Sequence, residues 1–345
     1  MKLSLCVVNY HHDEEITRLL KSLESFRPQF LHEVVIVDNS EQKDELKALR
    51  NTYGDWVKIH HPQGNLGLGK GSNLAVKHAQ GEYVLICNPD IEFDQGSLDS
   101  LVAFAEDLGD FGVIGPQLIN SDSTVQHSCR RFPKIWEPFL KRLPLASKFG
   151  RKNPYLMSDK DPNHTETVDW LVGAALLMKK DVFQEMGGFD DRFFLFFEDT
   201  DLCRRLWESD KEVWYYPKSV FVHSEERLSE RGFWVFKKVF WIHFFSMLKY
   251  YVKWKGVARP KKKVVHKKMV KKLGSIELKN INESFFIFIW KRGCLYEGCS
   301  LCFFGLDLSG SNFFYAKSIC YWWGGFYRGE FCEVLETAAP GGFHH

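Results

Sequence analysis

Short apolar runs alternate with polar helical patterns through the first third of the chain, and this alternation constrains the fold more than any other feature. The runs are Leu3–Val8, Glu33–Val37, Val57–His60 and Tyr83–Cys87; between and after them lie helical patterns over Glu14–Ser25, Lys43–Asn51, Ser72–Ala79 and Gly96–Leu108. Strand and helix repeated in this order predict an α/β fold, a mostly parallel sheet flanked by helices. Ligands of such sheets gather at the carboxyl ends of the strands. The residues there are Asn9-Tyr10, Asp38-Asn39-Ser40 and Asn88-Pro89-Asp90, all polar and turn-forming.

The 345 residues, 45% of them hydrophobic and 15% aromatic, suffice for one large domain or two smaller ones. Lys and Arg (46) nearly balance Asp and Glu (44), so no global field argues for a nucleic-acid partner. The first ten residues hold too short an apolar stretch for a signal peptide. With nine cysteines in a chain this long, a reducing cytoplasm is the expectation. No uncharged apolar run reaches the ~20 residues that a spanning helix needs.

From Phe111 the pattern changes to Gly-Pro turns and a proline- and basic-rich stretch between Arg130 and Pro162, read as a connection or lid. Val168–Met178 reads as a strand, Thr200–Ser209 as a helix, and Val213–Tyr216 and Ser219–Val222 as short strands ending near His223. Three regions follow: a domain over 1–225, a basic aromatic helix over 226–256, and a basic linker with a Cys/Phe/Trp-rich tail over 257–345. In the helix, Phe233, Phe236, Phe240, Phe244, Met247 and Tyr251 recur at helical spacing among Lys237, Lys238, Lys249 and Lys253. That composition suits an amphipathic helix in peripheral contact with an anionic membrane. A helix packed on the domain with solvated lysines has the same pattern. Arg259 through Lys272 adds eight Lys or Arg and no acid. The tail is atypical; its Cys294-x4-Cys299-x2-Cys302 spacing lacks the second ligand pair of a zinc knuckle.

Four constellations carry chemistry. Glu198, Asp199 and Asp201 fall within four positions directly after an apolar, Phe-rich run. Desolvated acids need a cation, a donor or a proton to move, although a helix N-terminus also favours them. Gly64-Asn65-Leu66-Gly67-Leu68-Gly69-Lys70-Gly71-Ser72 lies between strand and helix, where backbone amides can cradle phosphate. It nearly spells a P-loop, but Gly71 stands where a Ser or Thr hydroxyl would meet magnesium. In Asn88-Pro89-Asp90, Asp90 can offer a carboxylate to a hard cation and Asn88 only a neutral carbonyl. His223, at the end of a short strand, is a further candidate metal ligand.

Val7-Val8-Asn9-Tyr10, Val37-Asp38-Asn39-Ser40, Gly64-Asn65-Leu66-Gly67, Asn88-Pro89-Asp90, Trp170-Leu171-Val172-Gly173-Ala174 and Gly187 through Leu202 together resemble family 2 glycosyltransferases, most closely the bacterial rhamnosyltransferase-like subgroup. The resemblance covers about residues 1–225 and implies a GT-A fold with one nucleotide-binding sheet. It implies that Val8, Asn9, Tyr10 and Asp38 hold base and ribose, and that Asn65, Gly67 and Asn73 lie along the nucleotide. Asn88 and Asp90 occupy the family's D-x-D position, departing from it in the first residue; Asp90 and His223 would hold Mg2+ or Mn2+. Glu198-Asp199 matches the Glu-Asp motif, with Asp199 as general base, and Trp170 would form an apolar wall against one sugar face.

The implied activity is inverting transfer of rhamnose or another deoxyhexose. The donor would be a nucleoside-diphosphate sugar of dTDP or UDP type and the acceptor a hydroxyl of a glycan or lipid-linked molecule. The implied place is the inner face of the cell membrane, in cell-surface polysaccharide synthesis. A nucleotide-sugar-binding protein without transfer activity, and an ATPase using Lys70, are the competing readings.

Overall fold

The computed structural model describes residues 1–40, 46–133, 154–157, 159–224 and 232–255, together with three short strands further on. Strands β1 (Leu3–Asn9), β2 (His32–Asp38), β3 (Val57–His60) and β4 (Tyr83–Cys87) pair in parallel in the order β3-β2-β1-β4. Every residue of β1 and β4 is buried, as expected of strands covered on both faces. Helix α1 (Asp13–Ser25) turns Ile16, Leu19, Leu20 and Leu23 inward, each fully buried, and opens with Asp13, Glu14 and Glu15 against its N-terminal dipole. Burial of each such side chain stabilises by roughly 1.5–3 kcal/mol.

Helix α2 (Lys47–Tyr53) precedes β3; the start of the helix expected over 43–51 lies outside the described residues. Helix α3 (Gly67–His78) starts five residues before the expected Ser72 and so contains Gly67, Gly69 and Gly71. Glycine is a poor helix former, and close packing explains its use here. A Cβ on Gly71 would lie 3.0 Å from both Val8 methyls, and one on Gly69 3.3 Å from the Phe193 carbonyl.

After α4 (Ser97–Leu108) comes β6 (Val113–Ile119), a strand where Gly-Pro turns were expected. It lies in the sheet between β11 (Ala175–Lys179) and β12 (Val213–His223). Its ladder to β11 is the single pair Leu177–Ile114, so Pro116 sits where no donor to β11 is required. The run expected as one strand over Val168–Met178 is split. Trp170–Leu171 (β10) pairs with Cys129–Arg130 (β8) in a separate small sheet, and Val172–Ala174 carries the chain back to β11 in the main one. Conversely, the two strands expected after Val213 are one, β12, with a register shift between Tyr216 and Val220 around Pro217. The sheet ends at β5 (Ile91–Phe93), antiparallel to β12, and short strands β7 (Val125–Gln126) and β9 (Glu166–Thr167) border β6 and β12.

Helices α5 (Lys180–Glu185) and α6 (Glu198–Glu208) follow β11, and α7 (Gly232–Lys253) follows β12. On α7 the buried face is Ser246, Met247, Tyr250 and Tyr251, with Met247 and both tyrosines packed on Phe193 and Phe197. Asp201, fully buried, accepts hydrogen bonds from Lys253 Nζ at 2.8 Å, Trp254 Nε1 at 2.9 Å and Arg205 Nε at 2.8 Å. Most of the basic stretch expected as a lid lies outside the described residues.

Residues Met1–Lys263 form one compact unit and Val264–His345 a second. In the second, β13 (Phe286–Ile289), β14 (Cys302–Asp307) and β15 (Ile319–Cys320) form an antiparallel sheet with Cys302 opposite Cys320 in register. Cys294 and Cys299 lie outside the described residues.

Candidate active site

Parallel pairing brings Asn9 and Asp38 side by side at the ends of β1 and β2. The Asn9 amide donates to Asp13 Oδ1 at 2.7 Å and Asp38 Oδ1 at 3.0 Å, and Ser40 N donates to the same Asp38 oxygen. Asp38 is 2% exposed, and its Oδ2 has no hydrogen-bond partner among the described residues, although His61 Nδ1 lies 3.3 Å away. A buried carboxylate oxygen without a donor suits a ligand hydroxyl. Val8 is buried in the strand, whereas Tyr10, just past its end, is 46% exposed and can stack on a planar ring.

The glycine-rich loop is tied to this end of the sheet by Asn39, which the sequence reading passed over. Its Oδ1 accepts from Leu66 N and its Nδ2 donates to Gly67 O. Asn65 stays exposed and its Oδ1 caps Gly67 N at 2.8 Å. Gly67 has φ of +80°, and a Cβ there would stand 2.3 Å from Phe194 O. Asn73, expected along the nucleotide, binds protein instead. Its side chain exchanges two 2.8 Å hydrogen bonds with the Phe189 backbone, fastening the loop that leads to Glu198. Gly69, Lys70 and Gly71 are helical, so this loop cannot wrap a phosphate as a P-loop does.

Asp90 and His223 are far apart in the chain, and the β5–β12 ladder joins them by pairing Ile91 with His223. Asp90 Oδ1 lies 3.4 Å from His223 Nε2, and Asn88 Nδ2 is also 3.4 Å from that nitrogen. Gln126, another residue the sequence reading missed, sets the tautomer. Its Nε2 donates to Asn120 Oδ1 and the His223 carbonyl, which leaves its Oε1 to accept from His223 Nδ1 at 2.8 Å. In the neutral ring Nε2 therefore carries a lone pair, facing a carboxylate oxygen. Two such atoms side by side fit a divalent cation. Among the described residues no cluster of three or more His, Cys, Asp or Glu could hold a metal ion; Asp90 and His223 would offer two ligands.

Glu198 and Asp199 open α6 and are 4% and 9% exposed. Both carboxyls are raised by burial. Asp199 is held back toward its anion by Gly173 N on Oδ2 at 2.8 Å, by Thr200 N on Oδ1 and by the nearby charge of Arg130. Glu198 Oε2 has no hydrogen-bond partner among the described residues, and burial beside Asp199 pushes Glu198 to about 8. Within the pair, the Gly173 and Thr200 backbone donors favour the anion of Asp199, whereas Glu198 is pushed toward its protonated form. Phe196 and Phe197, just before the pair, both have left-handed φ, 67° and 70°. The loop is held there by α7, where Ser246 Oγ donates to Leu195 O and Lys249 Nζ to Arg192 O, both at 2.8 Å.

One short segment joins the two acidic regions. Gly173 donates to Asp199, and the carbonyl of the next residue, Ala174, accepts from Asn88 N at 3.0 Å. The crossing from β10 to β11 thus brings Asp199 and the Asn88–Asp90 turn together. Trp170, expected at a sugar face, is 7% exposed in the core, and its indole N–H donates to Arg131 O. Its motif contributes through the Gly173 backbone instead.

Residues 4–186 match the model of the glycosyl transferase family 2, and the chain belongs to that family. It is 27% identical over 244 residues to an N-acetylglucosaminyl-diphospho-decaprenol L-rhamnosyltransferase of Mycobacterium tuberculosis, over 66% of this chain and 78% of that one. It is 25% identical over 255 residues to the rhamnosyltransferase WbbL of Escherichia coli, over 71% of this chain and 91% of that one. The fold is similar to that in a crystal structure of GalNAc-T7 with UDP, GalNAc and Mn2+, at 17% identity and a TM-score of 0.51. That likeness covers 65% of this chain and 44% of the other. The protein is a glycosyltransferase with a GT-A fold.

Proposed function

We propose that this glycosyltransferase inverts the anomeric centre as it moves rhamnose or another deoxyhexose from a dTDP- or UDP-type donor to a hydroxyl of a glycan or lipid-linked acceptor, in cell-surface polysaccharide synthesis. Two relatives are named rhamnosyltransferases, and the mycobacterial name specifies N-acetylglucosaminyl-diphospho-decaprenol. The observation that carries the reading is the Gly173-Ala174 segment, whose neighbouring backbone groups bind one carboxylate and the turn that holds one candidate cation site.

An acceptor hydroxyl holds its proton far above neutral pH, so a carboxylate must take that proton as the new bond forms. Asp199 is the member of the pair whose oxygens accept from the Gly173 and Thr200 backbone donors, which favour its anion, and it serves as the base; Glu198, pushed up to about 8, spares it a second adjacent charge. Asp38, through its unpartnered oxygen, and Tyr10, through its exposed ring, hold the nucleoside. Asp90 and His223 would hold Mg2+ or Mn2+, whose charge when bound offsets the negative charge of the departing diphosphate.

Asp199→Asn tests the assignment, because the amide keeps the acceptor for Gly173 N but cannot take a proton. Donor affinity by calorimetry should persist while transfer of label from a nucleotide-rhamnose to a polyprenyl-diphosphate-linked sugar is lost. Turnover equal to that of the parent would reject Asp199 as the base.

A further inference from the structure

The inner face of α7 is committed to the catalytic domain, and its outer face is not. Trp241, Phe245, Leu248 and Val252 are 53%, 52%, 48% and 71% exposed. At about 100° per residue they fall within an arc of about 60°, opposite the buried Ser246, Met247, Tyr250 and Tyr251. Of the stripe expected from sequence, Met247 and Tyr251 are core and Phe244 packs against them, and the exposed apolar stripe is a different one. Trp241 packs its ring against Phe244 and Phe245, with centroids 5.8 and 5.9 Å away, making a continuous aromatic surface. Four large apolar side chains held outward on one helix are a docking surface.

Charge selects the occupant. From Gly232 to Ile276 the sequence contains no Asp or Glu, and the eight cations between Arg259 and Lys272 follow the helix directly. Lys249 and Lys255 are exposed beside the stripe. A second copy would set this acid-free basic segment against itself. A neutral apolar partner would leave the cations unanswered. A bilayer with anionic head groups satisfies both parts, because aromatic and aliphatic side chains enter the head-group boundary while lysines meet phosphate.

We infer that α7 seats the protein on an anionic lipid bilayer through Trp241, Phe245, Leu248 and Val252, an attraction that the acid-free, basic sequence around it favours. The helix lies in the plane of the interface. No helix among the described residues is long and apolar enough to cross a membrane.

The test is sedimentation of the full chain with vesicles of equal parts phosphatidylglycerol and phosphatidylcholine, compared with phosphatidylcholine alone. The parent should partition onto the anionic vesicles at least tenfold more strongly, and raised salt should weaken that binding. Replacing all four stripe residues with Ser should reduce the partition more than tenfold while leaving the melting temperature and nucleotide binding in place, since these side chains already face outward. A second variant, Lys255→Glu with Lys261→Glu, Lys262→Glu and Lys263→Glu, keeps the stripe and should lose the preference for anionic vesicles. The inference is overturned if the parent stays in the supernatant, or if the Ser variant sediments like the parent. It is equally overturned if light scattering shows a parent dimer that the Ser variant turns into a monomer, which would assign the face to a second copy. None of these readouts depends on transfer activity.

Discussion

At the ends of β1 and β2, Asn9 spends its amide on Asp13 and Asp38, and Ser40 and Asn39 bind the neighbouring loops. At the end of β12, His223 and Asp90 instead present lone pairs to each other, and Glu198 keeps a buried oxygen without a partner among the described residues. The first region is assembled in the free protein, and only one oxygen of Asp38 is left over. The second is incomplete by itself. A preformed pocket binds at low entropic cost, whereas groups left desolvated and uncompensated can respond to charge that develops during a reaction. On the proposed reading the end of β1 and β2 would hold the nucleoside and the acidic end would carry the chemistry.

The largest expected effect breaks that division at the acidic end. Asp199→Asn should lower transfer by roughly a thousandfold, within the range that a positioned general base contributes, and leave donor affinity within about twofold. A comparable loss of donor affinity would place Asp199 in holding instead. Next comes Gln126→Leu, which removes the acceptor that fixes the His223 tautomer. Loss of such a support typically costs 10–100-fold in metal affinity. Titration of Mn2+ by electron paramagnetic resonance, with a nucleoside diphosphate present, measures it directly. Unchanged affinity would detach Gln126 from the metal and make it a strand-edge residue only.

Glu198→Gln sharpens the comparison through pH. The unfolded chain releases this proton near the ordinary 4.5, while the folded chain keeps it to about 8. Between those values the folded state binds more protons, so stability falls as pH rises through the window and the loss is complete above the upper value. Glutamine cannot ionise. The variant should therefore gain on the parent as pH rises from about 4.5 to 8, on the order of 4 kcal/mol at the upper end. Urea unfolding at several pH values reads this out. Parallel curves for the two proteins would mean that Glu198 ionises in the fold as freely as in water.

Much of this was legible in the sequence because the relevant elements are long and periodic. Fully apolar strands and the polar residues at their ends could be placed by pattern alone, and so could the acids that open α6. Legibility failed where tertiary contact overrides local preference. Proline inside β6 reads as a turn until the ladder beside it is seen to stop at Ile114. Three glycines argue against the start of α3, yet Val8 and Phe193 approach too closely for any side chain there. Gln126 lies on a two-residue strand without periodicity, and nothing nearby in the sequence signals that it supports a histidine 97 residues on. Trp170 was misplaced because an aromatic near a site suits a sugar wall and a core equally well; only its burial distinguishes them.

The smallest expected effect concerns Lys70, the residue that makes the glycine-rich loop look like an ATP site. A P-loop lysine works because the loop before its helix wraps the phosphates and aims the ammonium at them. Here the helix has already begun at Gly67, and Lys70 is exposed in its first turn. The residues before it are committed as well, since Leu68 N donates to Phe194 O at 2.9 Å and Gly67 O accepts from Asn39. Two amides beside that lysine, those of Gly67 and Leu68, are thus bound to protein oxygens. Lys70→Ala should change sugar transfer and donor affinity by less than about twofold, the usual scale for an exposed residue outside any network. ATP hydrolysis that depends on Lys70 would reverse this and assign phosphate binding to the helix start rather than to the strand ends.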